Sequence, residues 1–141
     1  MINDKVRKPT VVTHEGGMRF AAQVSAHQIF TDQPTYAGGT DSAPSPIDLL
    51  GASLGSCIAF YVQQFCAARG LPYEGMRVEI EQRGQKSPAR VIEFIGRVIM
   101  PEELPEEYAR MLDRVVRSCP AHNTLAGGAF VNIEVLVPVA R

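Results

Sequence analysis

Three cysteines hold the reactive chemistry of this chain, and two of them stand in unlike settings. Cys57 follows Leu54-Gly55-Ser56 inside a long apolar stretch. Cys119 sits at a break, in Ser118-Cys119-Pro120-Ala121-His122-Asn123-Thr124-Leu125. A thiol that ionises is a strong nucleophile, and a second thiol within reach captures what the first becomes when oxidised. The two are 62 residues apart, so only the fold can bring them together. Cys66 follows Cys57 by nine residues. At about 100° per residue it faces the other side of a helix, and it reads as a small core residue.

The bland reading, a buried apolar thiol, stands beside the reactive one for each cysteine. Cys57 has no neighbouring His or Lys and lies far from any helix start, so a cation supplied by the fold would have to activate it. Cys119 has more local support: it precedes Pro120 as an N-cap residue does, facing the positive end of a short helix. His122 follows it by three. A Cys/His hydrolase pair lacks an evident orienting group, and Cys119 with His122 makes only half a metal site, with His14 and His27 at no ligand spacing. The Gly16-Gly17 and Gly38-Gly39 pairs fit turns rather than a phosphate loop.

The 141 residues suit one domain over 1–141 with a sizeable core. Hydrophobic residues make up 45% and the net charge is −1, a balance that gives no electrostatic footprint for nucleic acid or an anionic membrane. The first nine residues carry charge and no apolar core of a leader, and no uninterrupted apolar run approaches the roughly 18 residues of a span. The expected location is therefore the cytoplasm, where thiols stay reduced and a disulfide is more often catalytic than structural. An odd cysteine count also argues against a purely structural framework.

The elements that must position these sulfurs follow from pattern. Thr10–His14, Phe20–Val24 and His27–Phe30 are β-prone and broken by turn residues, which predicts a meander. Thr31 to Ser45 is a long loop, of a length often kept for function. Ser45 as N-cap, Pro46 at the first position and Asp48 three after the cap start a helix expected to run to about Arg69, with Gly70 beyond. Its apolar residues lie all round, which predicts burial on most sides. Gly51 and Gly55 each cost up to about 1 kcal/mol in a helix, so close packing or a site should compensate. Met76–Arg83 alternates apolar and polar, Gly84 to Pro88 turns, and Arg90–Met100 returns. Glu106–Ser118 is amphipathic, with acids early and arginines late. Pro120 ends it or restarts a short turn, and Phe130–Val137 reads as a last strand. The class is α+β, in the order βββ-α-ββ-α-β.

These residues resemble a known family. Gly38-Gly39-Thr40, Pro44-Ser45-Pro46-Ile47-Asp48-Leu49-Leu50, Leu54-Gly55-Ser56-Cys57 and Cys119-Pro120-Ala121-His122-Asn123-Thr124-Leu125 are similar to the OsmC/Ohr family of thiol-dependent peroxidases, in its OsmC-like branch with the Pro-Ser-Pro helix start. The resemblance implies an intertwined homodimer with two central helices packed on antiparallel sheets and sites at the subunit interface. It implies Cys57 as peroxidatic thiolate, Cys119 as resolving thiol, small organic hydroperoxides as substrate, and an external dithiol as reductant with no bound cofactor or metal. It also implies an arginine beside the thiolate and an acid holding it. Arg19 is the candidate for the first, against a plain exposed strand arginine. For the acid, the position ten before Cys57 is Ile47, and the nearest carboxylate is Asp48, whose capping role explains it without catalysis. An alternative is a non-catalytic dimer holding a small apolar ligand.

Overall fold

The computed structural model describes residues 4–138. Three strands, β1 (Val11–Gly16), β2 (Arg19–Val24) and β3 (His27–Thr31), form the expected antiparallel meander. Its register sets Val11 opposite Gln23 and Phe20 opposite Thr31. A single 3₁₀ turn, Thr35–Ala37, interrupts the loop that follows. Helix α1 (Pro46–Ala67) starts where the sequence says: Ser45 and Asp48 form a reciprocal capping box with Pro46 at the first position. It stops two residues short of Arg69, because the chain turns through Gly70 at φ 64° and the Leu71 N–H closes on the Cys66 carbonyl.

β4 (Arg77–Lys86) and β5 (Ala89–Ile99) make a second, two-stranded antiparallel sheet. The strands run further than the Gly84-to-Pro88 turn expected from sequence. Gly84 stays in the ladder at a register shift, and only Ser87 and Pro88 turn. Helix α2 (Glu106–Arg117) is tied by Arg110–Glu106 and Arg117–Asp113 pairs one turn apart. After it the chain does more than turn: Cys119 is the N-cap and Pro120 the first residue of an eight-residue helix, α3 (Pro120–Gly127).

The core lies between α1, α2 and the second sheet. Leu54, Ile58, Val62, Phe65, Cys66, Leu112 and Cys119 form its buried cluster, with Val78, Ile80 and Phe94 packed against it. A β-carbon on Gly55 would stand 3.2 Å from Ile80 Cγ1, so the helix glycine allows the sheet to come close. By length and apolarity α1 would suit a membrane span, with mean hydropathy 1.3 over the best window, yet one face of it carries this core.

Two expectations fail within the single chain. The apolar residues of α1 are not all covered: Ile47 is 52% exposed and Phe60 43%. The stretch Phe130–Val137 forms no strand, and Phe130, Ile133 and Leu136 stand almost fully open to solvent. A strand needs a neighbour for its N–H and C=O groups, and neither sheet of this chain supplies one. The order of described elements is therefore βββ-α-ββ-α-α. The meander also packs on none of the helices to any extent.

Candidate functional site

The site is built from the junction of α1 and α3. The short helix α3 packs on α1 and carries Cys119 at its start. Cys57 packs against the buried cluster that holds Cys119. Cys119 is fully buried and Cys57 half-buried. Burial is the main reason the Cys119 thiol is pushed above its ordinary pKa; the neighbouring Cys57 thiol adds to this, and the N–H groups of His122 and Ala121 pull the other way. Cys119 is thus the sulfur that keeps its proton at neutral pH, and Cys57 is the one a small molecule can reach.

It reaches it through an open cavity of about 330 Å³ lined by Leu50, Leu54, Pro120, Ala121 and Leu125 around Cys57, with Arg7 at its edge. A second cavity, about 570 Å³, shares Leu50, Leu54 and Leu125 with the first and carries Arg90, Glu93 and His122. His122 lies there rather than over Cys57, and its Nδ1 stands 3.2 Å from Asn123 Oδ1. Cys66 is fully buried in the core, where burial raises its pKa against the opposing charge of Arg69. That agrees with the reading of Cys66 as a packing residue.

The other two residues expected at the site are engaged elsewhere. Arg19 opens β2 and points into the loop: its Nε donates to Glu15 Oε2 at 3.2 Å, one terminal nitrogen donates to Ser42 Oγ at 2.9 Å, and the guanidinium lies 4.3 Å from the centre of the Phe30 ring. Behind Ser42 stands Asp32, a buried carboxylate. It accepts from the N–H and hydroxyl of both Ser42 and Thr40 and from the N–H of Gln33. These donors, the Ser42 N–H first, hold its pKa far below the usual carboxylate range. Arg19 therefore braces a loop anchored on Asp32, and the described contacts of one chain do not bring it to Cys57.

Asp48 accepts from the Ser45 N–H at 3.3 Å and hydroxyl at 2.8 Å, while its own N–H donates to Ser45 Oγ at 3.2 Å. Nine residues before Cys57, it faces the opposite side of α1. There it borders a different cavity, of about 560 Å³, with Gly51, Ala52, Gly55 and Ser56.

Arg7 was not among the expected residues. It precedes the first strand in a segment with no periodicity, and its only signal is the basic run Lys5, Arg7, Lys8.

Comparison with known sequence families matches residues 39–134 to the OsmC-like proteins, a stretch that contains both cysteine motifs and Asp48 but neither Arg7 nor Arg19. No curated protein matches the chain. Solved structures share its fold. A Psychrobacter arcticus protein named for osmotic stress induction and detoxification response superposes with a TM-score of 0.78 at 24% identity, over 87% of this chain and 91% of that one. An OsmC-like protein from Mycoplasma pneumoniae gives 0.68 at 21% identity, over 89% and 90%. An organic hydroperoxide resistance protein from Legionella pneumophila gives 0.58 at 17%, over 87% and 93%. With its α+β architecture and both cysteine motifs inside the matched region, the chain belongs to the OsmC-like family.

Proposed function

We propose that this protein is a thiol-dependent peroxidase that reduces small organic hydroperoxides in oxidative-stress defence, in the cytoplasm and as a homodimer. The observation that carries this reading is that Cys57, which lines an apolar cavity, packs against the buried cluster that holds Cys119. Family membership and structural neighbours named organic hydroperoxide resistance proteins support it.

The Cys57 thiolate attacks the terminal oxygen of the hydroperoxide. The O–O bond breaks, an S–O bond forms, and the departing alkoxide takes a proton to become the alcohol, leaving Cys57 as a sulfenic acid. The Cys119 sulfur then attacks the sulfenic sulfur. A Cys57–Cys119 disulfide forms and the oxygen leaves as water, with the Cys119 proton completing it. An external dithiol returns two electrons by exchange and departs as its own disulfide. A cavity walled by Leu50, Leu54 and Leu125 favours an organic substituent over hydrogen peroxide, because the substituent buries apolar surface.

The dimer is supported by what one chain leaves uncovered: the apolar flank of α1, the meander and the open Phe130–Val137 stretch. A second copy would cover them.

The test is a thiol count. A modest excess of cumene hydroperoxide is expected to consume two of the three thiols and to form a Cys57–Cys119 disulfide, with Cys57→Ser abolishing prompt loss. If Cys57 stays reduced under that excess, the protein is instead a dimer that holds an apolar ligand without turnover.

A further inference from the structure

Attack of Cys57 on a hydroperoxide leaves one charge to be met. The terminal oxygen keeps its hydrogen and becomes the S–OH of the sulfenic acid, while the O–O electron pair goes to the inner oxygen, which departs as an alkoxide. An alkoxide in an apolar cavity needs a hydrogen-bond donor already in place. We propose that the Ser53 hydroxyl is that donor, and so a catalytic residue. The inference rests on Cys57 being the peroxidatic nucleophile.

Two features of α1 single out Ser53. The first is spacing. Ser53 precedes Cys57 by four residues, one turn back on the same face, with about 5–6 Å between the β-carbons. Cα–Cβ bonds in a helix tilt toward its N-terminus, so the thiol leans over the turn that holds Ser53 and Leu54. Both residues line the Cys57 cavity, as does Leu50 on the turn before. A hydroperoxide lying along this face puts its inner oxygen on the Ser53 side of the sulfur and its substituent against Leu50, Leu54 and Leu125.

The second feature is the hydroxyl itself. A serine inside a helix can spend its O–H on the carbonyl four residues back. Ser56 does so: its Oγ donates to the Ala52 carbonyl at 2.7 Å, and it borders the cavity on the other side of α1. Thr124, brought to the Cys57 cavity by α3, donates its hydroxyl to the Pro120 carbonyl at 2.8 Å. Arg7, at the cavity edge, is engaged already. Ser53 Oγ is exposed and has no hydrogen-bond partner among the described residues. Its O–H is therefore uncommitted and one turn from the reacting sulfur. It stabilises the alkoxide by donating a hydrogen bond, and water supplies the proton that completes the alcohol, so Ser53 loses none.

The experiment uses the full-length, fully reduced chain and follows the first oxidation alone. Peroxide is added without a reductant, the reaction is stopped with N-ethylmaleimide, and Cys57 is read by peptide mass spectrometry. Two oxidants are compared: tert-butyl hydroperoxide, which expels a strongly basic alkoxide, and peracetic acid, which expels a carboxylate that needs far less stabilisation. Ser53→Ala is expected to slow oxidation by tert-butyl hydroperoxide roughly tenfold, short of the ~100-fold of an enclosed donor because this cavity is open. Oxidation by peracetic acid should be nearly unchanged. Ser53→Thr keeps the O–H and should restore most of the rate. Alkylation of Cys57 by iodoacetamide, which expels no oxyanion, should match wild type in Ser53→Ala, and Ser56→Ala should oxidise as wild type. A thermal midpoint for Ser53→Ala no lower than that of wild type checks the fold, since alanine is the better helix former.

The proposal is overturned if Ser53→Ala reacts with tert-butyl hydroperoxide as wild type does, or if it slows both oxidants and alkylation alike, which would place the effect on the thiol itself. A wild type inert toward both oxidants removes the peroxidase reading and this inference together. A reactive wild type with an unaffected Ser53→Ala removes this inference alone.

Discussion

Cys57 and Cys119 differ in burial, and that difference assigns their roles. Cys119 lies in the core cluster with its proton held by burial first and by the nearby Cys57 thiol second. Cys57 opens on a cavity. Cys119→Ser should therefore leave the first oxidation intact and remove the second. Under cumene hydroperoxide the variant is expected to lose one prompt thiol rather than two, to react with a sulfenic-acid probe at Cys57, and to form no Cys57–Cys119 disulfide by non-reducing peptide mapping. Both cysteines were legible from sequence, Cys119 by its place as the N-cap before Pro120 and Cys57 by the family resemblance of its Leu54-Gly55-Ser56-Cys57 motif rather than by any local activating group. The arginine was not. Arg19 suggested itself by place in the first hairpin, but a strand arginine is bound by whatever faces it, and here that is Glu15, Ser42 and Phe30.

Two elements carry predictions of their own. The start of α1 rests on the Ser45–Asp48 box, so Asp48→Ala should lower stability by about 1 kcal/mol in urea unfolding while Cys57 alkylation stays as in wild type. The loop after β3 rests on Asp32. Its folded pKa lies below the unfolded value of about 3.9, so the stability it contributes is present above that value and is lost as pH falls through the folded one. Urea midpoints of the wild type should drop below about pH 4, and Asp32→Asn should be less stable at neutral pH with a flatter acid limb. The same loop admits no side chain at Gly39, where a β-carbon would collide with the Gln33 carbonyl. Gly39→Ala should cost about 2 kcal/mol or more. Gly38 and Gly39 were legible as turn glycines, whereas the buried carboxylate was not: Asp32 reads as one more loop acid until Thr40 and Ser42 fold back onto it.

At the scale of the whole molecule the unfinished surfaces point one way. Val131, Ile133, Val135 and Val137 alternate with other residues as a strand does, yet each is exposed. In the proposed dimer this stretch finds its hydrogen-bond partners in a second copy. Ile133→Asp with Val135→Asp should then shift sedimentation velocity from dimer to monomer, lower the unfolding midpoint and remove its dependence on protein concentration. An unchanged sedimentation coefficient, equal to that of a monomer in both proteins, would remove the dimer from the proposal.

The sequence alone determined what depends on neighbours a few residues apart: the capped start of α1, the meander, the amphipathic α2 and the helix start at Cys119 and Pro120, since caps, turn residues and periodicity are local in origin. It also determined which sulfurs to watch. Only the tertiary structure decided that Cys119 packs beside Cys57, that Arg19 is bound in the loop while Arg7 reaches the cavity, and that Phe130–Val137 finds no ladder in its own chain. Each of these is a contact between segments far apart in sequence, set by the packing of α1 against α3 and the second sheet, and no local pattern encodes it.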